Sequence, residues 1–284
     1  MRKILLSILI LLILTGCERR RKQDVMILYP NWTEGIAISY LTKLVLEENG
    51  YTVALKRLEP GPIFAAISRG DADIYMDAWL PYTHEHYWKR FGDQLEVAGV
   101  IYDNGITGLV VPSYVEIDSI EELNDNKEKF EGGKIYGIAA GAGIHTNTEI
   151  AIKEYGLEFE QISSSETSML AAVKRAISNN EWIVITGWKP HHMWNLFDLK
   201  PLSDSKGIYP TDEIKVISRK GFAEEQPELA KYFSQFKLDD KLIGELIDAI
   251  AIDQDPAVGV KTFYHKYKDK LDSWVVAKEV ASEE

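Results

Sequence analysis

The chain has 284 residues, of which 45% are hydrophobic and 27% are charged, and its formal net charge is −12. These values are typical of a globular protein with one large or two modest domains and a sizeable core. Nucleic-acid binding depends on lysine and arginine side chains that neutralise phosphates, so the acidic balance argues against a nucleic-acid partner. Small ligands remain open, because a zwitterion responds to the local field of its site rather than to net charge.

The first residues have the pattern of a secretion signal. A short positive segment precedes an apolar run, Ile4–Ile13, that is too short to span a bilayer. Leu14-Thr15-Gly16-Cys17 then resembles a bacterial lipobox. We therefore expect residues 1–16 to be a lipoprotein signal peptide, residues 17–24 to be a polar tether, and Cys17 to carry a diacylglyceryl anchor on the extracytoplasmic face of the cell membrane.

Strand-like and helix-like segments alternate along the chain, which predicts a largely parallel sheet covered by helices. After a first strand–helix–strand–helix–strand unit come two strands that we expect to form a hairpin, because Asn104-Gly105 between them is a strong turn signal. A second α/β unit and a run of helices complete the chain. The expected strands are residues 25–29, 52–58, 71–76, 95–100, 105–112, 134–138, 158–162, 182–186 and 214–218. The expected helices are residues 34–49, 63–68, 119–123, 144–155, 166–178, 222–236, 241–251 and 256–274.

The order of these elements predicts two α/β lobes. We expect residues 25–110 and 215–284 to form lobe I and residues 111–214 to form lobe II, with hinge crossings near 108–112 and 211–219. In open α/β sheets, ligands bind beyond the carboxyl ends of the strands. The cleft between the lobes is therefore the expected binding site.

Three of the seven tryptophans share a place in the predicted fold. Trp32, Trp79 and Trp188 each come just beyond the carboxyl end of a predicted strand, with a helix to follow. Three indoles that face one crevice would form an aromatic cage, and the natural guest of such a cage is a quaternary ammonium group. For a single tryptophan, packing in a core or an interface is the more common role. We expect that packing role for Trp88, Trp182, Trp194 and Trp274.

A loop of small residues, Gly141-Ala142-Gly143-Ile144, lies between a predicted strand and a predicted helix. Its glycines would let the backbone approach a ligand closely, and the helix amides that follow would favour an anion. The loop lacks the lysine of a P-loop and the third glycine of a dinucleotide motif, so a carboxylate fits better than a pyrophosphate. An ordinary strand–helix turn is an equally good interpretation.

His84 follows Trp79 by five residues, at the start of a helix. On its own it is typical of a surface position, but beside an aromatic cage it could donate an N–H to a carboxylate. The spacing His84-Glu85-His86 does not match a zinc-binding helix motif, so we expect no metal. No nucleophile elbow or available cysteine nucleophile is present, so nothing favours an enzyme or a cofactor.

Taken together, these segments resemble the glycine-betaine-binding lipoproteins of bacterial ABC importers. The matching stretches are Asn31–Ala37, Ala78–His84, Gly141–Ile144 and Ile185–His191. The resemblance extends over nearly all of residues 25–275, and it implies a two-lobed α/β fold of the periplasmic-binding-protein class, type II, which closes on its ligand.

The resemblance also implies roles for individual residues. Trp32, Trp79 and Trp188 would cage a trimethylammonium group. His84 and the backbone amides of Gly143 and Ile144 would bind a carboxylate. Two residues depart from the expected pattern and could tune ligand preference, namely His145 and Trp194.

The function that the resemblance implies is the uptake of osmoprotectants. We expect a monomeric receptor for glycine betaine or a relative such as proline betaine, which delivers its ligand to the permease and ATPase subunits of an importer. Carnitine, choline or another amino-acid-like compound remains an alternative ligand. An enzyme that acts on a trimethylammonium substrate is an alternative of another class.

Overall fold

A computed structural model describes residues 23–253 and 255–278 of the chain. Its strands are β1 (Val25–Tyr29), β2 (Val53–Arg57), β3 (Ile74–Leu80), β4 (Leu95–Pro112), β5 (Lys134–Gly137), β6 (Glu160–Ser163), β7 (Val184–Lys189), β8 (Leu199–Pro201) and β9 (Asp212–Arg219). Its α-helices are α1 (Thr33–Glu48), α2 (Pro60–Ser68), α3 (Glu85–Phe91), α4 (Gly143–Glu154), α5 (Glu166–Asn179), α6 (Met193–Leu196), α7 (Phe222–Glu225), α8 (Pro227–Gln235), α9 (Asp240–Asp253) and α10 (Pro256–Asp272). Gly92–Gln94 and Ile120–Phe130 form 3-10 helix.

The strands follow the order β2-β1-β3-β9-β4-β7-β5-β6, with β8 beside β4. On one side, β1 is parallel to β2 and β3, and on the other side β5 is parallel to β6 and β7. The two parallel groups are joined by β9 and β4, which run antiparallel to their neighbours. The predicted two-lobed α/β arrangement is therefore present, with one parallel group at the centre of each lobe.

The predicted hairpin at Asn104-Gly105 is wrong, because β4 is one continuous strand of 18 residues. Its first part pairs with β9 as far as Gly105, and its second part pairs with β7 from Ile106 onward. The strand changes partner where a reversal was expected, and shifts of register between Tyr102 and Gly105 accommodate the local irregularity. Glycine at position 105 instead leaves room for the Trp79 ring, because a Cβ there would lie only 2.9 Å from that ring.

Two further expectations on element bounds are corrected. The expected helix 222–236 is divided into α7 and α8, because Pro227 begins a new helix and cannot continue the preceding one. Strands β3 and β7 run farther than expected, so Trp79 and Trp188 lie within their last residues rather than beyond them. Trp32 does follow its strand and occupies the N-cap position of α1.

The C-terminal helices α9 and α10 pack on α1, and α1 in turn packs on the first group of strands. Beyond α10, Lys278 donates its amide to the Asn49 carbonyl at 3.0 Å, and its ammonium group pairs with Asp24 at 2.6 Å. Asp24, the last residue of the expected tether, also bonds to Thr52 through backbone and side chain. The predicted signal peptide and Cys17 lie outside the described residues. None of the helices in the described ranges combines the length and apolar character needed to cross a membrane.

Candidate ligand-binding site

A cavity lies where the two lobes meet. The structure brings all six predicted site residues to this cavity, together with five residues that were not predicted. Its lining consists of Trp32, Glu34, Trp79, Thr83, His84, Thr107, Ile138, Ala142, Gly143, Ile144 and Trp188. No lysine or arginine is among these lining residues, and their ionisable groups are the Glu34 carboxyl and the His84 imidazole.

Asp77 holds two of the three indoles in place. The indole N–H of Trp79 donates to one carboxylate oxygen of Asp77 at 2.9 Å, and the indole N–H of Trp32 donates to the other. Burial raises the pKa of Asp77 to about 7, although the two indole donors act in the opposite direction. Gly35 leaves room for this arrangement, since a Cβ there would lie 2.7 Å from the Asp77 carboxylate. One side chain thus orients two of the three indoles that line the cavity.

Trp188 comes from the other lobe. It lies on β7 opposite Thr107 of β4, and its ring meets the His191 ring edge-on with centroids 4.5 Å apart. Its carbonyl accepts the indole N–H of Trp194 at 2.8 Å, so Trp194 supports the backbone of β7 at Trp188 and does more than the packing expected of it. The indole N–H of Trp188 has no hydrogen-bond partner among the described residues.

His84 is buried, with 1% of its surface exposed, so the simpler interpretation as a surface residue is wrong. Burial lowers the pKa of His84 to about 3, and the ring is therefore neutral at physiological pH. Its Nδ1 accepts the backbone N–H of Trp79 at 3.0 Å, which leaves the ring proton on Nε2. Since His84 lines the cavity, it can offer that N–H to an anion.

The first turn of α4 provides further donors. The amides of Gly143 and Ile144 have no intrahelical partners at these positions, and the N-cap residue Ala142 supplies no side-chain cap. Gly143 also packs against Thr83 of the opposite lobe, where a Cβ would overlap the Thr83 carbonyl and lie 2.6 Å from its methyl group. The helix N-terminus and the neutral imidazole together present N–H donors suited to an anion, without any formal positive charge.

Direct hydrogen bonds cross the cleft, as expected of a closed form. The backbone N–H of Thr33 donates to Glu166 at 2.9 Å, and the Thr33 hydroxyl donates to the same carboxylate. The Tyr87 hydroxyl donates to the Gly141 carbonyl at 2.8 Å. Burial alone would raise the pKa of Glu166, but hydrogen bonds from His191 and Thr33 outweigh burial and lower it.

Sequence reasoning missed Glu34, Asp77 and Glu166. The sequence signal for Asp77 is a charged residue within an otherwise apolar stretch, Ile74–Leu80. The structure shows that all seven residues of this strand are buried. Glu166, His191 and His192 could in principle hold a metal ion, since one ligand atom from each lies within 4.8 Å of the others. In this structure His191 is already paired, because its Nε2 lies 2.9 Å from Glu166 and its Nδ1 accepts the Met193 amide.

Comparison with known proteins identifies the family. Residues 23–266 match the substrate-binding domain of the ABC-type glycine betaine transport system. The glycine betaine/carnitine transport binding protein GbuC of Listeria monocytogenes serotype 1/2a (strain 10403S) is 35% identical over 144 residues, which are 49% of this chain and 48% of that protein. The chain thus spans about half the length of this curated relative.

Two solved structures are similar over most of the chain. Lactococcal OpuAC, in its closed form complexed with glycine betaine, superposes with a TM-score of 0.84 and 32% identity, covering 89% of this chain and 99% of that one. The glycine betaine/L-proline-binding protein ProX of Borrelia burgdorferi superposes with a TM-score of 0.86 and 32% identity, covering 89% and 96%. The resemblance seen in the sequence is confirmed, and the chain belongs to the family of substrate-binding domains of ABC-type glycine betaine transport systems.

Proposed function

We propose that this protein captures glycine betaine, or a closely related betaine, outside the cytoplasm and delivers it to the permease of an ABC importer. The observation that carries the proposal is one cavity that contains both three buried indoles and a separate set of N–H donors for an anion. No lysine or arginine lines this cavity. Such a site matches a zwitterion whose cation has no N–H. The family membership and the two similar structures support the same assignment.

Within this proposal, Trp32, Trp79 and Trp188 form the cage for the trimethylammonium group. That group spreads its charge over methyls and cannot be selected by hydrogen bonds, whereas each well-placed aromatic face contributes roughly 0.5–2 kcal/mol. The carboxylate of the ligand accepts hydrogen bonds from His84 Nε2–H and from the amides of Gly143 and Ile144, at about 1.5–3 kcal/mol for each bond to a charged group.

The ligand contacts in this proposal come from both lobes. Trp32, Trp79 and His84 belong to the strands and helices around β1 and β3, whereas Trp188 and Gly143 belong to those around β5 and β7. A ligand that touches both walls binds the closed form better than an open form and therefore shifts the population toward closure. The permease would then recognise the closed, loaded receptor.

The remaining parts of the proposal concern the whole protein. Residues 1–16 are a signal peptide, Cys17 carries the lipid anchor, and the mature receptor acts as a monomer beside its permease and ATPase. Lobe I comprises residues 25–110 and 215–284, and lobe II comprises residues 111–214. The protein binds and releases its ligand without chemical change. Mass determination of the membrane-extracted protein tests the anchor, because a lipidated N-terminal Cys17 has a defined added mass.

Among the alternative ligands, the anion donors favour a compound with a carboxylate. Carnitine and proline betaine satisfy both ends of the site, whereas choline offers only one neutral hydroxyl oxygen to His84 Nε2–H and the two helix amides. Unpaired buried donors cost roughly 1–3 kcal/mol each. The proposal therefore ranks choline below the betaines.

Calorimetric titration of residues 23–284 with glycine betaine, and with glycine as the ligand without methyl groups, tests the function. We expect saturable binding of glycine betaine and none of glycine. Trp188→Leu should abolish binding, whereas Trp182→Leu should preserve it, since Trp182 packs on Phe130 away from the cavity. Equal binding by the two tryptophan variants would contradict the cage, and absence of betaine binding to the unchanged protein would contradict the function.

A further inference from the structure

Glu34 is a cavity-lining carboxyl that the betaine-binding scheme does not use. It lies in the first turn of α1 with 1% of its surface exposed. Its Oε2 has no hydrogen-bond partner among the described residues. A buried carboxylate ordinarily needs a cation or several hydrogen bonds to offset its lost hydration. The protein offers no such cation here, because no lysine or arginine lines the cavity and His84 is neutral.

The surroundings of Glu34 place its carboxyl group at the cage end of the cavity. Burial raises the pKa of Glu34 well above its ordinary value, and the negative charges of Asp77 and Glu166 raise it further. The indole N–H of Trp188 lies close enough to lower the pKa, without the geometry of a hydrogen bond. Glu34 thus neighbours both Trp188 and the carboxylate that holds the other two indoles.

The two neighbouring carboxylates already have partners. Asp77 accepts two indole N–H groups, and Glu166 accepts hydrogen bonds from Thr33 and pairs with His191. Only Glu34 presents a carboxylate oxygen without a partner within the described part of the cavity. A positive group brought by the ligand would be the first cation that this oxygen meets.

We propose that Glu34 is the counter-ion of the ligand's ammonium group and selects for positive charge, while the three indoles select for the shape of the methylated head. This inference rests on the proposed function and deepens it. A trimethylammonium group cannot donate a hydrogen bond, but its charge acts on a nearby carboxylate through a cavity that excludes water, where charges are weakly screened. The ligand and Glu34 then offset each other's loss of hydration.

The test compares two ligands of the same shape. Glycine betaine and 3,3-dimethylbutanoate share the carboxylate and the three methyl groups, but the second has a neutral carbon in place of the charged nitrogen. We expect the unchanged protein to bind glycine betaine more tightly. Glu34→Gln should weaken glycine betaine at least about tenfold and leave 3,3-dimethylbutanoate about unchanged, because the raised pKa keeps Glu34 protonated beside a neutral head and only a bound cation favours its ionised form.

Glu59→Gln is the matched control, since Glu59 is exposed and lies outside the cage lining. It makes the same change of charge and should leave the ratio of the two affinities unaltered. If part of a variant is unfolded, binding of both ligands falls alike, so the ratio of the two affinities does not change. An unaltered ratio in Glu34→Gln, with glycine betaine still bound, overturns the counter-ion role alone. Failure of the unchanged protein to bind glycine betaine overturns the proposed function as well.

Discussion

Replacing Asp77 by asparagine tests whether ligand binding depends on how the indoles of the proposed cage are oriented, because the substitution removes none of them. All three indoles remain, and the side chain keeps its size. Asp77 now accepts from both Trp32 and Trp79, whereas asparagine has one oxygen acceptor and one NH₂ donor. Only one indole N–H can keep its acceptor, and the other faces a donor. One wall of the cage therefore loses its anchor.

The expected loss of affinity has two sources, namely the hydrogen bond that asparagine cannot accept and the ring orientation that this bond maintains. A hydrogen bond to a charged group contributes about 1.5–3 kcal/mol, and a misplaced aromatic face forfeits roughly 0.5–2 kcal/mol of cation attraction. We expect the affinity for glycine betaine to fall by about 10- to 100-fold, since every 1.4 kcal/mol corresponds to a factor of ten. The stability of the free protein changes less, because the variant also removes a buried ionisable group.

The pH dependence of binding gives a second readout of the same residue. In the folded protein the pKa of Asp77 is about 7, against an ordinary value of 3.8, so Asp77 keeps its proton to a higher pH than in the unfolded chain. Between these values the unfolded chain has already lost the proton, so this group lowers the free energy of unfolding as pH rises. A bound cation favours the ionised form, so affinity should increase as pH rises toward 7, with release of protons. Glu34 and Tyr75 are titratable groups that interact with Asp77, and Glu34 should contribute in the same direction.

Calorimetry in two buffers of different ionisation enthalpy measures both affinity and proton release. Asp71→Asn, an exposed change just before β3, is the control and should behave as the unchanged protein. If Asp77→Asn binds glycine betaine within about twofold of the unchanged protein, with the same pH dependence, the two indoles do not depend on Asp77 and the reasoning fails.

Three other substitutions probe the carboxylate site and the closure of the cleft. His84→Phe should weaken glycine betaine by about 10- to 100-fold through loss of one donor to a charged group, and calorimetry with choline as the second ligand should show a smaller loss. Equal losses for both ligands would argue against a carboxylate role. Gly143→Ala places a methyl against Thr83 and should prevent full closure, so scattering with saturating glycine betaine should show a more open protein. Gly244→Ala, whose Cβ meets nothing within 4 Å, should close normally, and normal closure of Gly143→Ala would show that this contact can yield. Glu166→Gln weakens the bonds to the first turn of α1 and should reduce affinity roughly tenfold without touching the cage; unchanged affinity would mean that these bonds contribute nothing to closure.

The amino-acid sequence by itself determined the features that depend on local patterns. Alternating apolar strands and amphipathic helices predicted the two α/β lobes, because period and turn signals are encoded within short segments. The position of Trp32, Trp79 and Trp188 near strand ends predicted a meeting point, since the carboxyl ends of parallel strands converge. The structure brings them to one cavity with His84 and Gly143, and their roles in binding remain predictions.

Only the tertiary structure decided which distant groups become partners. Asn104-Gly105 looks like a turn locally, but β4 continues because strands β9 and β7 offer it hydrogen bonds on successive stretches. Asp77 and Glu34 look like ordinary acidic residues until the fold removes them from water and leaves indoles as their neighbours. Burial, not residue type, turns one carboxylate into an anchor and leaves another without a partner, and burial depends on segments far apart in the chain.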